Sequence, residues 1–562
     1  MQNKTKLINL ILLLCMLLLH QTVYSQSPYV PLNHWAYDFL ERMETKHAVR
    51  GVLNHTKPLS RKEFANYLKQ LKENVDQGFV LNKVEQEQLS FLEFEFREEL
   101  GKEKSQKLKY RSRIQKVKNQ KTIKKFFPSL FYKNNRNFIS WQDEQIKVFF
   151  DPVYRYKINY RRPDSTNKPE KAFHFTNGFQ VWGYLTKYFG FFVDVRDNKE
   201  WGDQKYPLGN YTLPGLGFVR ATSADFIYHD ETKAYLKFGI KNFQLIYGKF
   251  KNYWGSTNTG SLLLSDYATS YDQLKFEYRH KKFKFTSIYA FLIDYHFQLE
   301  DKLQDKKYLA AHRLEVAPWD WLSIGLSETV IFKGRSFEPS YLNPVMFFRS
   351  AEHYLGSPDN MMMGLDFKFT AFKNIKVYGE LLVDDLTTTK LGTGWYGNKY
   401  GFSSGVFWTE PLKLNNFDVR LEYARIRPYV YTHENELQYT HYNSALGHWM
   451  EPNSDLFTFS LKYQQTRRLS FSGSFQYLRH GANTDQKNYG GSFDEYIVPI
   501  DAYYPGFLDG AVEKNQAIVF YSSYEIIRNL FCRLSIQGNN YFKKNGKKIK
   551  TTSLSFSLGI NY

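Results

Sequence analysis

The chain has 562 residues, enough for a large core or several domains. Its mean hydropathy is low, at −0.53, yet 18% of its residues are aromatic, with 43 Tyr and 48 Phe. That combination is unusual for a soluble enzyme and suits a wall in which every second residue is polar and aromatic girdles mark two interfaces. The net charge of +20 points to acidic partners, and the export signal at the start of the chain argues against nucleic acid among them.

Lys4 and Lys6 head an apolar run from Leu7 to Leu19, and Val23-Tyr24-Ser25 places short residues where a signal peptidase reads. Residues 1–25 therefore read as a leader, with the mature chain starting near Gln26. Cys15 lies within the run, after Leu14, which argues against a lipoprotein site. Cys532 is then the only mature cysteine, and an intramolecular disulfide is excluded. No later run approaches the ~18 apolar residues of a membrane helix, so a membrane-embedded form must be a barrel.

Residues 26–101 read as a small helical domain on the periplasmic side. Asn33 precedes Trp35, Phe39, Leu40 and Met43, spaced for one helical face. Ser60 with Glu63 makes a capping box, Leu59 with Phe64 a hydrophobic staple, and Phe64, Tyr67, Leu68 and Leu71 the buried stripe. A third helix starts at Asn82 with Glu85 in the box position, runs through Leu89, Leu92 and Phe96, and stops at Gly101. Residues 102–145 form a linker whose first part, 102–125, is dense in Lys and Arg. It reads as a solvated face or as a contact for anionic headgroups or acidic glycan.

From residue 146 to 562 the chain breaks into about eighteen strand-like segments. The last one is the clearest. Leu554, Phe556, Leu558, Ile560 and Tyr562 alternate with Ser553, Ser555, Ser557, Gly559 and Asn561, giving one apolar and one wet face. Connections alternate between tight turns, as at Thr186-Lys187, and long loops, as at Asp197–Thr232, Lys251–Tyr271, Lys333–Met361, Arg427–Asp455 and Arg479–Gln516. A soluble sandwich has no reason to alternate in this way. A transmembrane β-barrel does, with short periplasmic turns and long extracellular loops. The expected fold is mainly β: an antiparallel barrel of about eighteen strands behind the helical domain.

Three sets of residues, taken in order, resemble the capsule assembly (Wzi) family of outer-membrane proteins. The first is Gly248-Lys249, Trp254-Gly255 and Gly260-Ser261-Leu262-Leu263-Leu264-Ser265. The second is Tyr341-Leu342-Asn343-Pro344, Gly356-Ser357-Pro358-Asp359-Asn360 and Gly364-Leu365-Asp366. The third is His441, Leu446-Gly447-His448 and Pro452-Asn453-Ser454-Asp455. The resemblance implies an outer-membrane barrel with a lectin-like, non-enzymatic role in attaching or organising capsular or exported polysaccharide. Lipopolysaccharide and outer-membrane lipid are the other expected partners, and no cofactor or metal is implied.

Sugar recognition needs flat aromatic faces and fixed polar groups. The candidate glycan contacts in the expected loops are Trp201, Tyr206, Trp254, Arg349, Trp395, Tyr396, His441, His448, Tyr503 and Tyr504. Loop packing and interface girdles call for the same residue types. Two other functions compete. An eighteen-strand barrel is wide enough for a diffusion porin. His441, Asn443 and Ser444 sit close together in one long loop, as in an outer-membrane hydrolase, although no activated nucleophile follows from their spacing. His441, His448 and Asp455 lack a compact metal-ligand spacing.

Overall fold

The computed structural model describes residues 27–101, 136–143, 145–164, 168–294, 304–433, 437–493, 503–543 and 546–561. The expected leader, the basic segment 102–125 and Tyr562 lie outside the described residues.

Alternation with period two closes into a single barrel of eighteen antiparallel strands. In chain order they are β1 (Ile146–Pro163), β2 (Glu170–Leu185), β3 (Phe189–Gly202), β4 (Phe226–Ile240), β5 (Phe243–Phe250), β6 (Tyr271–His280), β7 (Phe283–Asp294), β8 (Asp305–Trp319) and β9 (Leu322–Lys333). They continue as β10 (Asn360–Phe369), β11 (Ile375–Asp385), β12 (Lys399–Thr409), β13 (Phe417–Ile426), β14 (Ser454–Gln464), β15 (Leu469–Ala482), β16 (Ala511–Ile527), β17 (Leu530–Phe542) and β18 (Lys548–Ile560). The seam pairs Ile560 with Tyr154 and Thr551 with Pro163. All eighteen strands overlap the segments expected from sequence. One long loop is shorter than expected, because β3 runs on to Gly202 and residues 209–223 form their own hairpin beside β4.

The faces sort as the last strand announces. Leu554, Phe556 and Leu558 project outward, about two-fifths exposed, while Ser553, Ser555 and Ser557 line the lumen. At the short-turn end, Asn374 and Asn529 take left-handed backbone, which asparagine tolerates because its short side chain bonds locally. Trp319 and Trp321 stack at that end, 5.3 Å apart, as a girdle at a membrane interface requires.

The N-terminal helices are α1 (Ala36–Thr45), α2 (Arg61–Asp76) and α3 (Lys83–Glu95). Both expected capping boxes are present, at Ser60/Glu63 and Asn82/Glu85. Helix α1 begins three residues after Asn33, and α3 ends at Glu95, before the looser turns that reach Gly101. The helices have a core of their own, including Phe39, Met43, Phe64, Leu68 and Leu92.

This domain sits inside the short-turn mouth of the barrel and is held there by ion pairs. Glu41 meets Lys376 and Arg420, Glu44 meets Lys368 at 2.7 Å, and Glu63 meets Arg279 at 2.6 Å and Lys284 at 3.3 Å. Arg42 meets Glu410 at 2.6 Å and also Asp418, while Glu95 meets Arg528 at 2.8 Å. Inward-facing charges of the wall are thus neutralised by charges on the helices, as burial of ions demands.

The other half of the plug comes from the long loops. Tyr253-Trp254, just past β5, pairs antiparallel with Thr56-Lys57 of the helical domain. Leu262 to Leu264 and the loop through Tyr431, Tyr439 and Leu446 fill the space above. Inward apolar side chains of the wall pack against them: Ile288, Ala290, Leu292, Leu309, Ala311 and Ile331. On this side of the barrel the lumen is a hydrophobic core rather than a water channel.

Candidate functional site

Three long-loop segments meet at the rim, and aromatic side chains hold them together. Tyr429 is the hub. Its ring lies edge-on to Tyr396 at 5.9 Å and to Tyr503 at 6.3 Å, and its hydroxyl donates to the Asn488 carbonyl at 3.0 Å. The backbone joins the same segments, with Tyr396 N donating to Tyr503 O at 3.2 Å and Tyr429 N to Gly490 O at 3.0 Å. Gly490 adopts φ +71°, and a Cβ there would lie 2.5 Å from the Tyr429 ring, so glycine is needed for this close approach.

Cations sit on these rings. Lys390 Nζ lies 3.9 Å from the Trp395 ring centre and Lys487 Nζ 4.4 Å from that of Tyr503. Arg427 donates to the Gly394 and Trp395 carbonyls at 3.2 and 3.4 Å. Burial raises the Tyr503 hydroxyl above its ordinary value, with Asp509 adding to the effect. The result is a rim of half-buried π faces, hydroxyls and fixed cations, with Tyr504 and Lys487 exposed beside it. Chemically it can stack on sugar CH surfaces and pair with carboxylate or phosphate.

Of the residues singled out from sequence, the structure brings together Trp395, Tyr396, Tyr503 and Tyr504. The others go elsewhere. Trp201 is on β3, not in a loop, and its ring stacks on Phe173 of the neighbouring strand at 5.6 Å. Tyr206 is buried with Tyr211 in the small core of the 209–223 hairpin and donates to Glu200. Arg349 pairs with Glu352 at 2.9 Å outside the barrel wall.

Trp254 is 1% exposed, inside the plug, so the expectation of a surface contact is corrected. The pairing with Thr56 draws it into the lumen. His441 and His448 are corrected likewise. His441 Nδ1 accepts from Ile293 N at 3.0 Å, and His448 Nδ1 accepts from Met450 N at 3.1 Å. Burial pushes both imidazoles down to about 3, with the Lys307 charge adding to the effect at His441.

The hydrolase reading meets a geometric obstacle. His441 stands opposite Ser444 in a two-residue ladder, but each is committed elsewhere. Ser444 Oγ accepts from Gly215 N at 2.8 Å, and both residues are fully buried. Among the described residues, no group of three or more His, Cys, Asp or Glu is placed to hold a metal ion.

Sequence reasoning missed Tyr429, Lys390, Lys487 and Arg427. The one local signal was the charged, aromatic run Arg425-Ile426-Arg427-Pro428-Tyr429 at the end of β13.

Beside the plug, the lumen has cavities of about 930 and 530 Å³ against the wall formed by β12–β18 and β1–β5.

Fold and site together define an outer-membrane β-barrel whose lumen is occupied from both ends. A family model described as capsule assembly protein Wzi matches residues 158–517, more than half of the chain. The chain belongs to the capsule assembly protein Wzi family. Among solved structures it is similar to Wzi of Escherichia coli, described as an outer-membrane protein involved in group 1 capsule assembly and a carbohydrate-binding β-barrel. Identity is 12% and the TM-score 0.54, over 96% of this chain and 100% of that one. OprD and OccD3 (OpdP) of Pseudomonas aeruginosa match at 10% and 11% identity, with TM-scores of 0.40 and 0.41. Both cover 73% of this chain, and 95% and 91% of their own. These two likenesses are too slight to support an inference. No curated relative matches the chain.

Proposed function

We propose that the protein attaches or organises an exported, capsule-like polysaccharide at the cell surface without catalysing a reaction. The polymer is held at the rim, by stacking on Trp395, Tyr396, Tyr503 and Tyr504 and by charge pairing with Lys390, Lys487 and Arg427. The observation that carries this reading is the convergence of three separate loop segments on Tyr429, which builds a fixed aromatic and cationic surface at the mouth. Membership of the family and the carbohydrate-binding relative support the same direction.

The porin alternative is the weaker one, because the helical domain and the inward loops both stand in the lumen. The hydrolase alternative is weaker still, because Ser444 and His441 are buried and bonded to other groups.

The test is capture of the producer's own surface polysaccharide by folded protein and by Trp395→Ala and Tyr503→Ala variants. A drop in affinity of about tenfold or more in either variant, equivalent to ~1.4 kcal/mol, supports the rim site. Unchanged capture in both contradicts it.

A further inference from the structure

One stretch of the outer wall is covered by the protein itself. On β8, Lys307 and Arg313 reach Thr440 and Thr56 of the plug, each at 2.8 Å, so both point inward. Side chains alternate along a strand, so Tyr308, Ala310 and His312 between them point outward. Residues 334–359 fold down over this face of β7–β10. Outward-pointing Tyr289, Tyr308, Val330 and Phe332 are buried beneath Tyr341 of α4 (Pro339–Leu342) and Phe348 of α5 (Phe348–Tyr354).

The same segment hides a polar pair. His312 and Glu328 face each other on β8 and β9, 2.9 Å apart. Phe348 N donates to Glu328 at 2.9 Å, and the Phe348 ring stacks on His312 at 4.2 Å. Ionisable side chains turned toward acyl chains are costly, and these two would meet them if the segment lifted away.

Height places the segment. His312 and Glu328 each stand seven residues above a tryptophan of the lower girdle, Trp319 and Trp321. Seven residues are ~18 Å of height for a strand tilted by ~40°, which lies within an apolar band ~25 Å tall. Phe348, which touches both, is therefore at membrane depth. The wall stays apolar higher still. Phe291, opposite Tyr308 and four residues above the level of His312, is exposed.

The outer side of the segment is apolar as well. Phe337, Val345, Phe347 and Tyr354 are exposed by 61, 85, 54 and 90%. They continue the outward surface of Leu326 and Leu365 on β9 and β10. That continuity selects acyl chains over a partner protein, whose footprint would end in a polar rim. The three carboxylates of the segment are withdrawn from this surface and paired. Glu338 and Asp359 both take Arg335, the first at 3.1 Å, and Glu352 takes Arg349 at 2.9 Å. The ionisable groups left exposed, Arg349 and His353, are basic, which anionic headgroups favour.

We infer that residues 334–359 are an amphipathic strap seated in the outer leaflet, with the acyl chains of its lipid as partner. The inner side of the strap closes over His312 and Glu328, and its outer side restores the apolar surface that this pair interrupts. Such a seating needs only the barrel's place in the outer membrane, not the glycan at its rim.

The test is spin labelling of the full-length protein in vesicles of phosphatidylcholine and phosphatidylglycerol, in a Cys532→Ser background. Labels go at Val345→Cys and Phe347→Cys. Leu554→Cys is the lipid-facing reference. Lys205→Cys, where the native side chain is 70% exposed, is the water-facing one. Collision with oxygen is compared with collision with a nickel chelate, in protein that keeps heat-modifiable migration. Both strap labels are expected to favour oxygen over the chelate, as Leu554→Cys does, and Lys205→Cys to show the reverse. Preference for the chelate at either strap position would overturn the inference. Protection from both reagents would overturn it as well, and would indicate a second protein copy on this face.

Discussion

Trp254 lies opposite Thr56 in a two-residue ladder inside the barrel, with Tyr253 opposite Lys57. One strand belongs to a long loop and the other to the N-terminal domain, so the plugs from the two mouths are hydrogen-bonded to each other. Gly255 N extends the link by donating to His55 O at 2.8 Å.

Gly255 is therefore a sensitive point. Its φ is +143°, and a Cβ would lie 2.1 Å from Glu380 Oε1. Glu380 cannot yield easily, since it accepts from Ser256 N at 3.1 Å, Thr257 N at 3.2 Å and Leu262 N at 2.9 Å. Gly255→Ala is expected to destabilise the folded barrel by ~1–3 kcal/mol, seen as a lower temperature for the heat-modifiable gel shift.

Arg42 joins α1 to the wall through Glu410 and Asp418, and to α3 through Glu85 at 3.2 Å. Arg42→Ala would take the Arg42 cation from Asp418 and leave Glu85 and Glu410 to Lys46 alone, at 2.6 and 3.1 Å. Loss of one partner of a buried ion pair costs ~3–5 kcal/mol. The expected outcome is faster trypsin cleavage within residues 27–101 and a larger conductance in planar bilayers than that of the intact protein.

Docking also depends on pH. Burial alone would raise Glu41 and Glu63, but Arg420 and Lys376 at the first, and Lys284 and Arg279 at the second, overcome it and hold both well below the ordinary carboxylate range. Carboxylates depressed in the docked state stabilise it above their free pKa of ~4.3 and lose that contribution as pH falls through the depressed values. His55 is pushed down to about 4 by burial, against the pull of Asp366. It therefore favours docking above its free pKa of ~6.5 and loses that contribution as pH falls toward 4. Glu44 acts oppositely, because burial outweighs Lys368 and raises it. The melting temperature should be level above pH 7, decline gently below ~6.5 and fall more steeply below ~4.3.

Ser444→Ala separates structure from catalysis. The hydroxyl oxygen serves Gly215 N–H at 2.8 Å, and leaving that donor without its partner costs ~1–3 kcal/mol. The variant should melt earlier and retain full polysaccharide capture. Loss of a lipid- or ester-hydrolysing activity in it would support the enzyme reading instead.

The wall was legible because a period of two is local. Leu554, Phe556 and Leu558 declare their face without reference to any other strand. The helix starts were legible for the same reason, since Ser60 with Glu63 and Asn82 with Glu85 are complete within four residues. The plug was not. Trp254, His441 and His448 sit in long loops and carry sugar-binding chemistry, and only contacts far along the chain draw them into the lumen. One signal was available: Ile288, Ala290 and Leu292 are apolar at inward positions of β7, where a water-filled lumen would call for polar residues. The rim site was half legible. Trp395 and Tyr503 stand out by composition, but Tyr429, which joins them, is ordinary until its neighbours are known.

The central claim is that this barrel holds an exported polysaccharide at its rim. The most direct measurement is binding of the full-length, detergent-folded protein to surface polysaccharide from its own producer, at low and high salt. The account predicts binding at low salt that weakens at high salt and falls about tenfold or more in Trp395→Ala. No binding at either salt would contradict direct attachment.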